Sequence, residues 1–378
     1  MSETEIEPTD AGEPIPRKSP PPAAFATQVA TLIGDDVPYR MEDLPLWSRL
    51  SSRRQAGSRS RLLAGLGWCV ALGLLAAAIL RMVCHDAIEP LAWFNAFTLY
   101  LYLPAYLILA FAAWTRRWWL AVVSVAAIAF HMTWVLPDFR PATPYARGSG
   151  TVAAPSRTLR VFYANVHGGA NLDIDGVLAE ARSYDPDVII FAEMHRYWVR
   201  QLYERRPLKD FPFGTDMDHR NTGDIGIFSR VPILRMEQIL VQNRASQLVD
   251  IPLGEKTLRL FALHSPRPNR DSADDYYTFW QIIEPIIARA PRPVAVIGDF
   301  NATQHSLVYE QLEADGLRSA HEDRGRGYAV SWPNGARWIP PIRIDQAFVS
   351  PDVECVSIRE GRGTGSDHKP LILDLRVH

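Results

Sequence analysis

Three long apolar runs dominate the first part of the chain. Residues 62–80, 91–113 and 118–136 contain no Asp, Glu, Lys or Arg, and each run is about 20 residues long, enough for a helix to cross the hydrocarbon layer of a bilayer. Tryptophans lie near the ends of these runs, as is typical of interfacial aromatic residues. The pattern predicts three transmembrane helices. His131 lies inside the third run, where an interhelical hydrogen bond is expected rather than a role in transport.

Charged residues around these runs predict their orientation. Arginines precede the first run and separate the second run from the third, at Arg49, Arg53, Arg54, Arg59, Arg61, Arg116 and Arg117. Short cytoplasmic segments of membrane proteins carry an excess of Lys and Arg. The N-terminus and the turn at residues 116–117 are therefore predicted to be cytoplasmic, and everything after the third run extracytoplasmic. This describes a multi-pass protein of the cell (inner) membrane.

The composition of the remaining segments predicts the domain boundaries. Residues 1–61 begin with a stretch rich in Pro, Glu and Asp and end in arginines, which predicts a disordered cytoplasmic tail. Residues 62–137 form the three-helix transmembrane region. Residues 138–157 are rich in Pro and Gly and are predicted to be a linker, and residues 158–378 are predicted to form a separate folded domain.

From residue 158 onward, short apolar segments alternate with amphipathic ones. Strands are predicted at residues 159–165, 188–193, 225–229, 247–251, 257–264, 294–297, 343–349 and 370–377, and helices at residues 174–183, 274–290 and 306–315. Some connections are too short to contain a crossover helix, so the sheets should be mixed. The fold class is therefore α/β.

Polar residues at the ends of these predicted strands form a set. Its members are Asn165, Glu193, His264, Asp299, Asn301, Asp345, Asp367 and His368. Turn preference accounts for one such pair but is a poor explanation for a set spread over six strands. Converging at one edge, they would supply carboxylate and amide ligands suited to Mg²⁺ or Mn²⁺, and two histidines for proton transfer or phosphate contact.

Charge and cysteine content narrow the range of functions. The formal net charge is -2, and from residue 158 onward there are 26 Lys and Arg against 30 Asp and Glu. Proteins that bind duplex nucleic acid usually carry a basic excess, so this balance makes a nuclease the less favoured alternative. Cys69, Cys84 and Cys355 are scattered, without the spacing of a zinc site or a disulfide framework.

The ordered motifs resemble those of the endonuclease/exonuclease/phosphatase family, the DNase I-like metal-dependent phosphoesterases. The resemblance covers residues 158–378 and rests on Asn165, Glu193, Gly223-Asp-Ile-Gly-Ile-Phe-Ser-Arg230, His264, Gly298-Asp-Phe-Asn301, Ile344-Asp345 and Ser366-Asp-His368. It implies a four-layer α/β sandwich, in which two mixed β-sheets are flanked by helices, here preceded by three transmembrane helices.

The resemblance also implies a role for each motif residue. Glu193 would be the main metal ligand, with Asn165 beside it and Asp367 as a further ligand. Asp345 would orient and charge the catalytic His368. Asp299 and Asn301 would position or activate the attacking water, and His264 would contact the scissile phosphate. Whether Asp299 or His368 is the general base stays open.

Some positions depart from the family pattern. His167 stands where Asn or Asp is common, and Gln346 where Tyr or His is common, which puts a second amide ligand and one substrate contact in doubt. His195, His305 and His321 are expected to lie at the surface or in solvated loops.

The leading functional prediction is a membrane-anchored phosphoesterase, a hydrolase that uses Mg²⁺ or Mn²⁺ and acts outside the cytoplasm. An arrangement of a few spans followed by this domain resembles the teicoplanin-resistance membrane proteins of bacteria. That resemblance implies a phosphate or pyrophosphate substrate that is linked to a lipid. The alternative is a nuclease acting on extracellular nucleic acid.

Overall fold

The computed structural model describes residues 45–87, 89–142, 158–215, 224–242, 244–268, 273–336 and 338–378. The chain divides into two compact units, Met1–Ala64 and Gly65–His378. The predicted tail at residues 1–44 and most of the predicted linker, residues 143–157, lie outside the described residues. The same holds for Gly223 of the family motif.

The N-terminal part consists of helices. They are α1 (Pro45–Cys84), α2 (Glu89–Ala96), α3 (Thr98–Leu101), α4 (Leu103–Trp114) and α5 (Trp118–Val135), and a 3-10 turn at Leu136–Phe139 follows. Helix α1 begins at Pro45, so residues 45–61 are helical rather than part of a disordered tail. This stretch contains five Arg residues, which favour helices, alongside five Ser residues.

Two of the helical segments, Arg59–Cys84 and Trp118–Phe139, are long and apolar enough to cross a membrane. The second apolar run is not one straight helix, because α2 and the segment Thr98–Trp114 meet at 74°. The described chain therefore has two candidate spans, or three if this bent pair crosses as one. The predicted interhelical bond of the third run is confirmed, because His131 Nδ1 lies 3.0 Å from Tyr106 Oη of α4.

Residues 158–378 form strands and helices in alternation. The strands are β1 (Leu159–Asn165), β2 (Val188–Ala192), β3 (Phe213–Gly214), β4 (Gly226–Ser229), β5 (Arg235–Val241), β6 (Arg244–Leu253), β7 (Lys256–His264), β8 (Val294–Asp299), β9 (Arg318–Ser319), β10 (Asp345–Val349), β11 (Val353–Glu360) and β12 (Leu371–Val377). The helices are α6 (Ile174–Ser183), α7 (Arg196–Arg205), α8 (Ala273–Ala288), α9 (Leu307–Ala314) and α10 (Ala320–Asp323).

The strands form two six-stranded sheets. Their orders are β11-β12-β1-β2-β4-β3 and β5-β6-β7-β8-β10-β9. The central pairs β1–β2 and β7–β8 are parallel and the other pairs are antiparallel. Both sheets are therefore mixed, as the short connections predicted.

Alternation along the strands builds three apolar layers. In β1, Val161 and Tyr163 point into the core between the two sheets, whereas Phe162 and Ala164 face the side covered by α6 and α7. Helices α8 and α9 cover the outer face of the other sheet in the same way, around Phe261 and Phe279. Helix, sheet, sheet and helix make the predicted four-layer α/β sandwich.

A buried polar pair joins the two sheets at one edge. His321 of α10 has its Nε2 3.2 Å from Oε1 of Glu360, the last residue of β11, and Arg326 also pairs with that carboxylate. The expectation that His321 lies in a solvated loop is wrong, because its side chain is fully buried where α10 packs against β10 and β11. His305 is also buried, whereas His195 is exposed as expected.

Burial controls the ionisation of this pair. Burial and the positive charge of Arg343 lower the pKa of His321 to about 4. For Glu360, burial acts in the opposite direction, but contact with His321 and Arg326 holds its pKa at about 2. His321 lowers the pKa of Glu360 most strongly when the imidazole is charged, and burial opposes that charge. We therefore describe the pair at neutral pH as a neutral imidazole that donates its N–H to a carboxylate.

We expect His321→Ala to lower the free energy of unfolding by roughly 2–3 kcal/mol, because it leaves a cavity and removes one partner of a buried carboxylate. Wild type should also lose stability as the pH falls from 6.5 to about 4, since the unfolded chain then binds a proton that the folded His321 does not. The variant should lose less stability in that pH window. Urea unfolding of the detergent-solubilised full chain measures both effects. The matched control is exposed His195→Ala, and equal stability of the two variants would contradict the buried pair.

Candidate active site

Side-chain alternation on four strands brings polar groups to one end of the core. Tyr163, Ala262, Ile297 and Ala347 face inward on β1, β7, β8 and β10. The residues two positions away on each strand, Asn165, His264, Asp299 and Asp345, therefore lie on the same inward face. The strand register also places Asp299 between His264 on one side and Asp345 on the other.

Gly298 allows β7 and β8 to approach each other at this end. A Cβ on Gly298 would lie 2.1 Å from the carbonyl oxygen of Leu263, its partner in the parallel pair. Any side chain would therefore push the two strands apart and separate His264 from Asp299. This is the physical reason for the glycine in Gly298-Asp-Phe-Asn301.

Two site residues have left-handed backbone conformations directly after a strand. Glu193 is the first residue after β2, with φ 55°, and Asn301 is the second residue after β8, with φ 46°. Residues other than glycine rarely adopt positive φ, and such strain is concentrated at functional sites. The sharp turn at Glu193 brings its Oε1 to 3.1 Å from Nδ2 of Asn165.

The first cluster surrounds Glu193. His264 Nε2 lies 3.4 Å from Glu193 Oε1, and His264 Nδ1 lies 2.5 Å from Asp224 Oδ2. Arg267 Nη2 donates to the same Glu193 oxygen at 2.9 Å. Asn165 Nδ2 donates both to Glu193 and, at 3.0 Å, to Asp299 Oδ2, so its amide connects this cluster to the next.

The second cluster surrounds His368. Its Nδ1 lies 2.8 Å from Asp345 Oδ2, and its Nε2 lies 3.8 Å from Asp299 Oδ2. That Nε2 is buried and has no hydrogen-bond partner among the described residues. Asp299 Oδ1 accepts a hydrogen bond from the backbone N–H of Asn301 at 2.9 Å. The free imidazole nitrogen is therefore available for a substrate or for Asp299.

The two clusters hold separated charges. Burial opposes protonation of His264, but Asp224 and Glu193 outweigh it and raise its pKa to about 10. Burial likewise opposes the charge of His368, yet Asp345 and Asp299 raise its pKa to about 9. Burial also raises the pKa of Asp299, against the effect of His368. For Glu193, the neighbours His264, Asn165 and Arg267 overcome burial and hold the pKa well below the usual range.

Two groups of described residues fit a divalent cation by their donor chemistry. One consists of Glu193, His264 and Asp299, and the other of Asp299, Asp345 and His368; in each, the possible ligand atoms lie within 4.8 Å of one another. Most of these donors are carboxylate oxygens, which hard cations such as Mg²⁺ and Mn²⁺ prefer. Glu193 is the most exposed of the acids, with 19% of its side chain accessible, and is therefore the best placed to hold an ion.

Two predicted ligands have other contacts in this structure. Asn165 turns its NH2 group toward Glu193 and Asp299, and its Oδ1 accepts the N–H of His167. A ligand role for Asn165 would need its oxygen to face the site. Asp367 lies outside both groups and contacts His167 Nδ1 at 2.9 Å and Trp332 Nε1 at 3.1 Å. The metal roles of both residues stay predictions.

Sequence reasoning missed two residues of the site. Asp224 lies within the Gly223–Arg230 motif, so its pairing with His264 could have been sought there. Arg267 follows His264 by three residues and carries no signal beyond that proximity. Gln346, the departure from the family pattern noted above, is fully buried and donates to the carbonyl oxygens of Ala302 and Arg343. It therefore supports the site from behind rather than contacting substrate.

A pocket of about 330 Å³ adjoins the second cluster. His368, Asn301 and Arg267 are among its lining residues. Ala92 and Trp93 of α2 also line it, so the start of the second apolar run forms part of the pocket.

Comparison with known families identifies the domain. The family model of the endonuclease/exonuclease/phosphatase family matches residues 162–368, more than half of the chain. The chain belongs to this family. Its members are hydrolases of phosphoester bonds that generally depend on divalent metal ions, in keeping with the two carboxylate and histidine groups.

Solved structures resemble the chain at low sequence identity. TDP2 from D. rerio, complexed with a single-strand DNA product, is 18% identical over 58% of this chain and 99% of its own, with a TM-score of 0.48. An endonuclease/exonuclease/phosphatase from Beutenbergia cavernae is 20% identical, with 58% and 72% covered and a TM-score of 0.44. Sphingomyelinase C from Streptomyces griseocarneus is 16% identical, with 58% and 99% covered and a TM-score of 0.44. A search of curated proteins gave no match.

We expect Asp299→Asn and His368→Asn each to lower kcat by about 10²-fold or more, because each removes proton transfer or positive charge from the transition state. Asp299→Asn is isosteric and His368→Asn leaves a smaller polar side chain, and near-UV circular dichroism checks that both variants keep the fold. The losses should be non-additive, since the two groups act on one transition state. Steady-state hydrolysis of a chromogenic phosphodiester by the full chain measures them, with exposed His195→Ala as the control. A double variant that loses the product of the two single losses would argue against a shared site.

Proposed function

We propose that the protein is a membrane-anchored, divalent-metal-dependent phosphoesterase that hydrolyses a lipid-linked phosphate ester or pyrophosphate outside the cytoplasm. The pocket carries this proposal, because it combines the catalytic His368 and Asn301 with Trp93 from the membrane-associated part of the chain. A water-soluble phosphoester substrate would need no apolar surface such as that of Trp93 beside the catalytic residues. The narrower resemblance to the teicoplanin-resistance membrane proteins stays a prediction.

The reaction follows from the charges of the two clusters. A divalent cation held at Glu193 would neutralise charge on the phosphoryl group. The imidazolium groups of His264 and His368 stabilise negative charge that develops on the phosphoryl oxygens. Asn301 and Asp299 orient the attacking water. As its oxygen bonds to phosphorus and the bond to the leaving oxygen breaks, its proton passes to the Asp299–His368 pair, whose Oδ2 and Nε2 lie 3.8 Å apart, and the pair returns a proton to the leaving oxygen.

Contacts at the ends of the apolar helices support the extracytoplasmic location. Asp86 follows α1 and accepts from the N–H of Leu307, whereas Asp138 follows α5 and accepts from Gln304 Nε2. The C-terminal ends of both helices therefore contact residues 304–307, between β8 and the first turn of α9. This fits an odd number of crossings before the domain, with the arginines of the α4–α5 turn on the opposite, cytoplasmic side.

We expect an alkaline phosphatase fused after His378 to be active in a bacterial host, and a cytoplasm-dependent reporter at the same site to be silent. The reason is that the arginines before the first apolar run and in the α4–α5 turn retain those segments in the cytoplasm. A fusion within the α4–α5 turn, after Arg117, is the matched control and should give the opposite pattern. Phosphatase activity at Arg117 combined with its loss at His378 would overturn the orientation.

We expect the purified full chain with Mg²⁺ or Mn²⁺ to release phosphate from a polyprenyl pyrophosphate in mixed micelles, and EDTA to abolish the release. Phospholipid and plasmid DNA are tested side by side. Glu193→Gln should raise the metal concentration that gives half-maximal rate, because an amide binds hard cations more weakly than a carboxylate.

Three outcomes would change the proposal. Faster cleavage of DNA than of either lipid would favour the nuclease alternative, against which the acidic excess of residues 158–378 argues. Full activity in EDTA would remove the metal from the reaction. An unchanged metal requirement in Glu193→Gln would remove Glu193 from the metal site, and exposed Glu204→Gln serves as its control.

A further inference from the structure

Helix α2 is fixed to the catalytic domain by hydrogen bonds. Asp86, just before α2, accepts from the N–H of Leu307 at 2.7 Å through Oδ2 and from Asn95 of α2 through Oδ1. Tyr277 of α8 donates to the Asp86 carbonyl oxygen. Beyond α2, Tyr100 Oη donates to the carbonyl oxygen of Pro341 at 2.7 Å. The start of the second apolar run is therefore attached to the domain and is not a free segment.

One face of α2 forms the apolar side of the pocket. Ala92, Trp93 and Ala96 are spaced so that they share a helix face, and all three line the cavity. The Trp93 ring stacks on Phe97, with centroids 6.0 Å apart and planes at 7°. Ile342 and Ile344 lie on another side of the same cavity. These residues offer hydrocarbon contact and few hydrogen bonds.

Polar groups line the same cavity. Arg267, Asn301 and His368 are among its lining residues, and Nε2 of His368 has no hydrogen-bond partner among the described residues. The carboxylates of Asp86 and Asp367 also border the cavity, but Asp86 accepts hydrogen bonds through both oxygens, and Asp367 contacts His167 and Trp332. The pocket therefore offers cationic groups for an anionic phosphate and an apolar surface for a chain.

The position of α2 gives such a molecule a route from the bilayer. Helix α2 begins the second apolar run, and Phe94, on its other face, is 49% exposed. Because α2 meets the segment Thr98–Trp114 at 74°, it lies nearly parallel to the membrane surface if that segment runs along the bilayer normal. One face of α2 then contacts lipid while the other lines the catalytic pocket.

We propose that the α2 face of Ala92, Trp93 and Ala96 binds the hydrocarbon chain of the substrate, next to the phosphate subsite at Asn301 and His368. This inference deepens the proposed function and rests on it. The occupant is the chain of the phosphate ester itself, because the apolar face of α2 and the cationic groups line one cavity. Trp93 sets chain-length preference, since its ring is the largest apolar surface that α2 offers to the cavity.

The first test compares substrates of one headgroup and different chain length. In detergent-solubilised full chain, kcat/KM for a long polyprenyl pyrophosphate should exceed that for isopentenyl pyrophosphate. Trp93→Ala should reduce this ratio by roughly tenfold, as expected for lost apolar contact with a bound chain. Phe94→Ala is the matched control, a neighbouring aromatic residue on the same helix outside the pocket, and should leave the ratio unchanged. Equal ratios in wild type and Trp93→Ala would overturn the proposal.

The second test measures binding without turnover. A polyprenyl phosphonate that carries a benzophenone in its chain, irradiated with the protein in EDTA, should label the peptide containing residues 89–97. Long-chain pyrophosphate should compete with the label, whereas a polyprenyl alcohol should compete at least about tenfold more weakly. Labelling elsewhere, or equal competition by the alcohol, would overturn the proposal.

The two tests distinguish failure of the proposed function from failure of the chain site, the α2 face proposed to bind the hydrocarbon chain of the substrate. A protein that hydrolyses no phosphoester would refute the proposed function, while labelling still tests the α2 wall. A protein that hydrolyses lipid pyrophosphates without chain-length preference, and is labelled outside α2, would keep the proposed function and refute the chain site.

Discussion

The burial of two carboxylates between the sheets is the constraint on which the site depends. Asp299 and Asp345 are fully buried, and an isolated buried carboxylate would cost several kcal/mol in lost hydration. His368 lies between them and carries the compensating positive charge, and Asn165 donates to Asp299 from the opposite sheet. The polar cluster therefore requires both sheets at once. Folding of the sandwich and assembly of the site are one event.

The catalytic loop after β8 is held from two sides. The strand pair β7–β8 fixes its start through Gly298 and Asp299, as the close backbone approach requires. Its end is fixed by residues next to the apolar helices: Asp138 lies within 3.0 Å of Gln304 Nε2 and 3.4 Å of His305 Nε2, and Asp86 accepts from Leu307. Asn301, with its strained backbone, lies between these two attachments. The apolar helices thus contribute to the geometry of the site.

Much of the fold could be predicted because its central strands are buried on both faces and apolar along their length. The predicted bounds of β1 and α6 agree with the structure, and the other predicted strands differ from it by a few residues at their ends. The edge strands β5 and β11 were missed, because each has one exposed side and many polar residues. Helix α7 was also missed, since only Trp198, Val199 and Leu202 mark its buried face.

The site was predictable where chemistry follows a strand and was not where it depends on distant contacts. Asn165, Glu193, His264, Asp299, Asp345 and His368 lie together because strand parity and order carry them to one end of the core. His321 was misassigned because a short polar helix resembles a loop in sequence, while its burial depends on β10 and β11. The contact of α2 with the pocket could not be predicted from the sequence for a related reason. An apolar run satisfies the requirements of a membrane span, so nothing in its pattern indicates contact with a pocket.

The balance of charge is consistent with substrate delivery by the membrane. Enzymes that capture soluble polyanions use a basic surface to raise the rate of encounter. Here the domain has a slight acidic excess overall, and His264, Arg267 and His368 supply positive charge within the site. Under the proposed function the bilayer already concentrates the substrate beside α2, so long-range attraction adds little. Local cationic groups then need only to recognise the phosphate once its chain has entered the pocket.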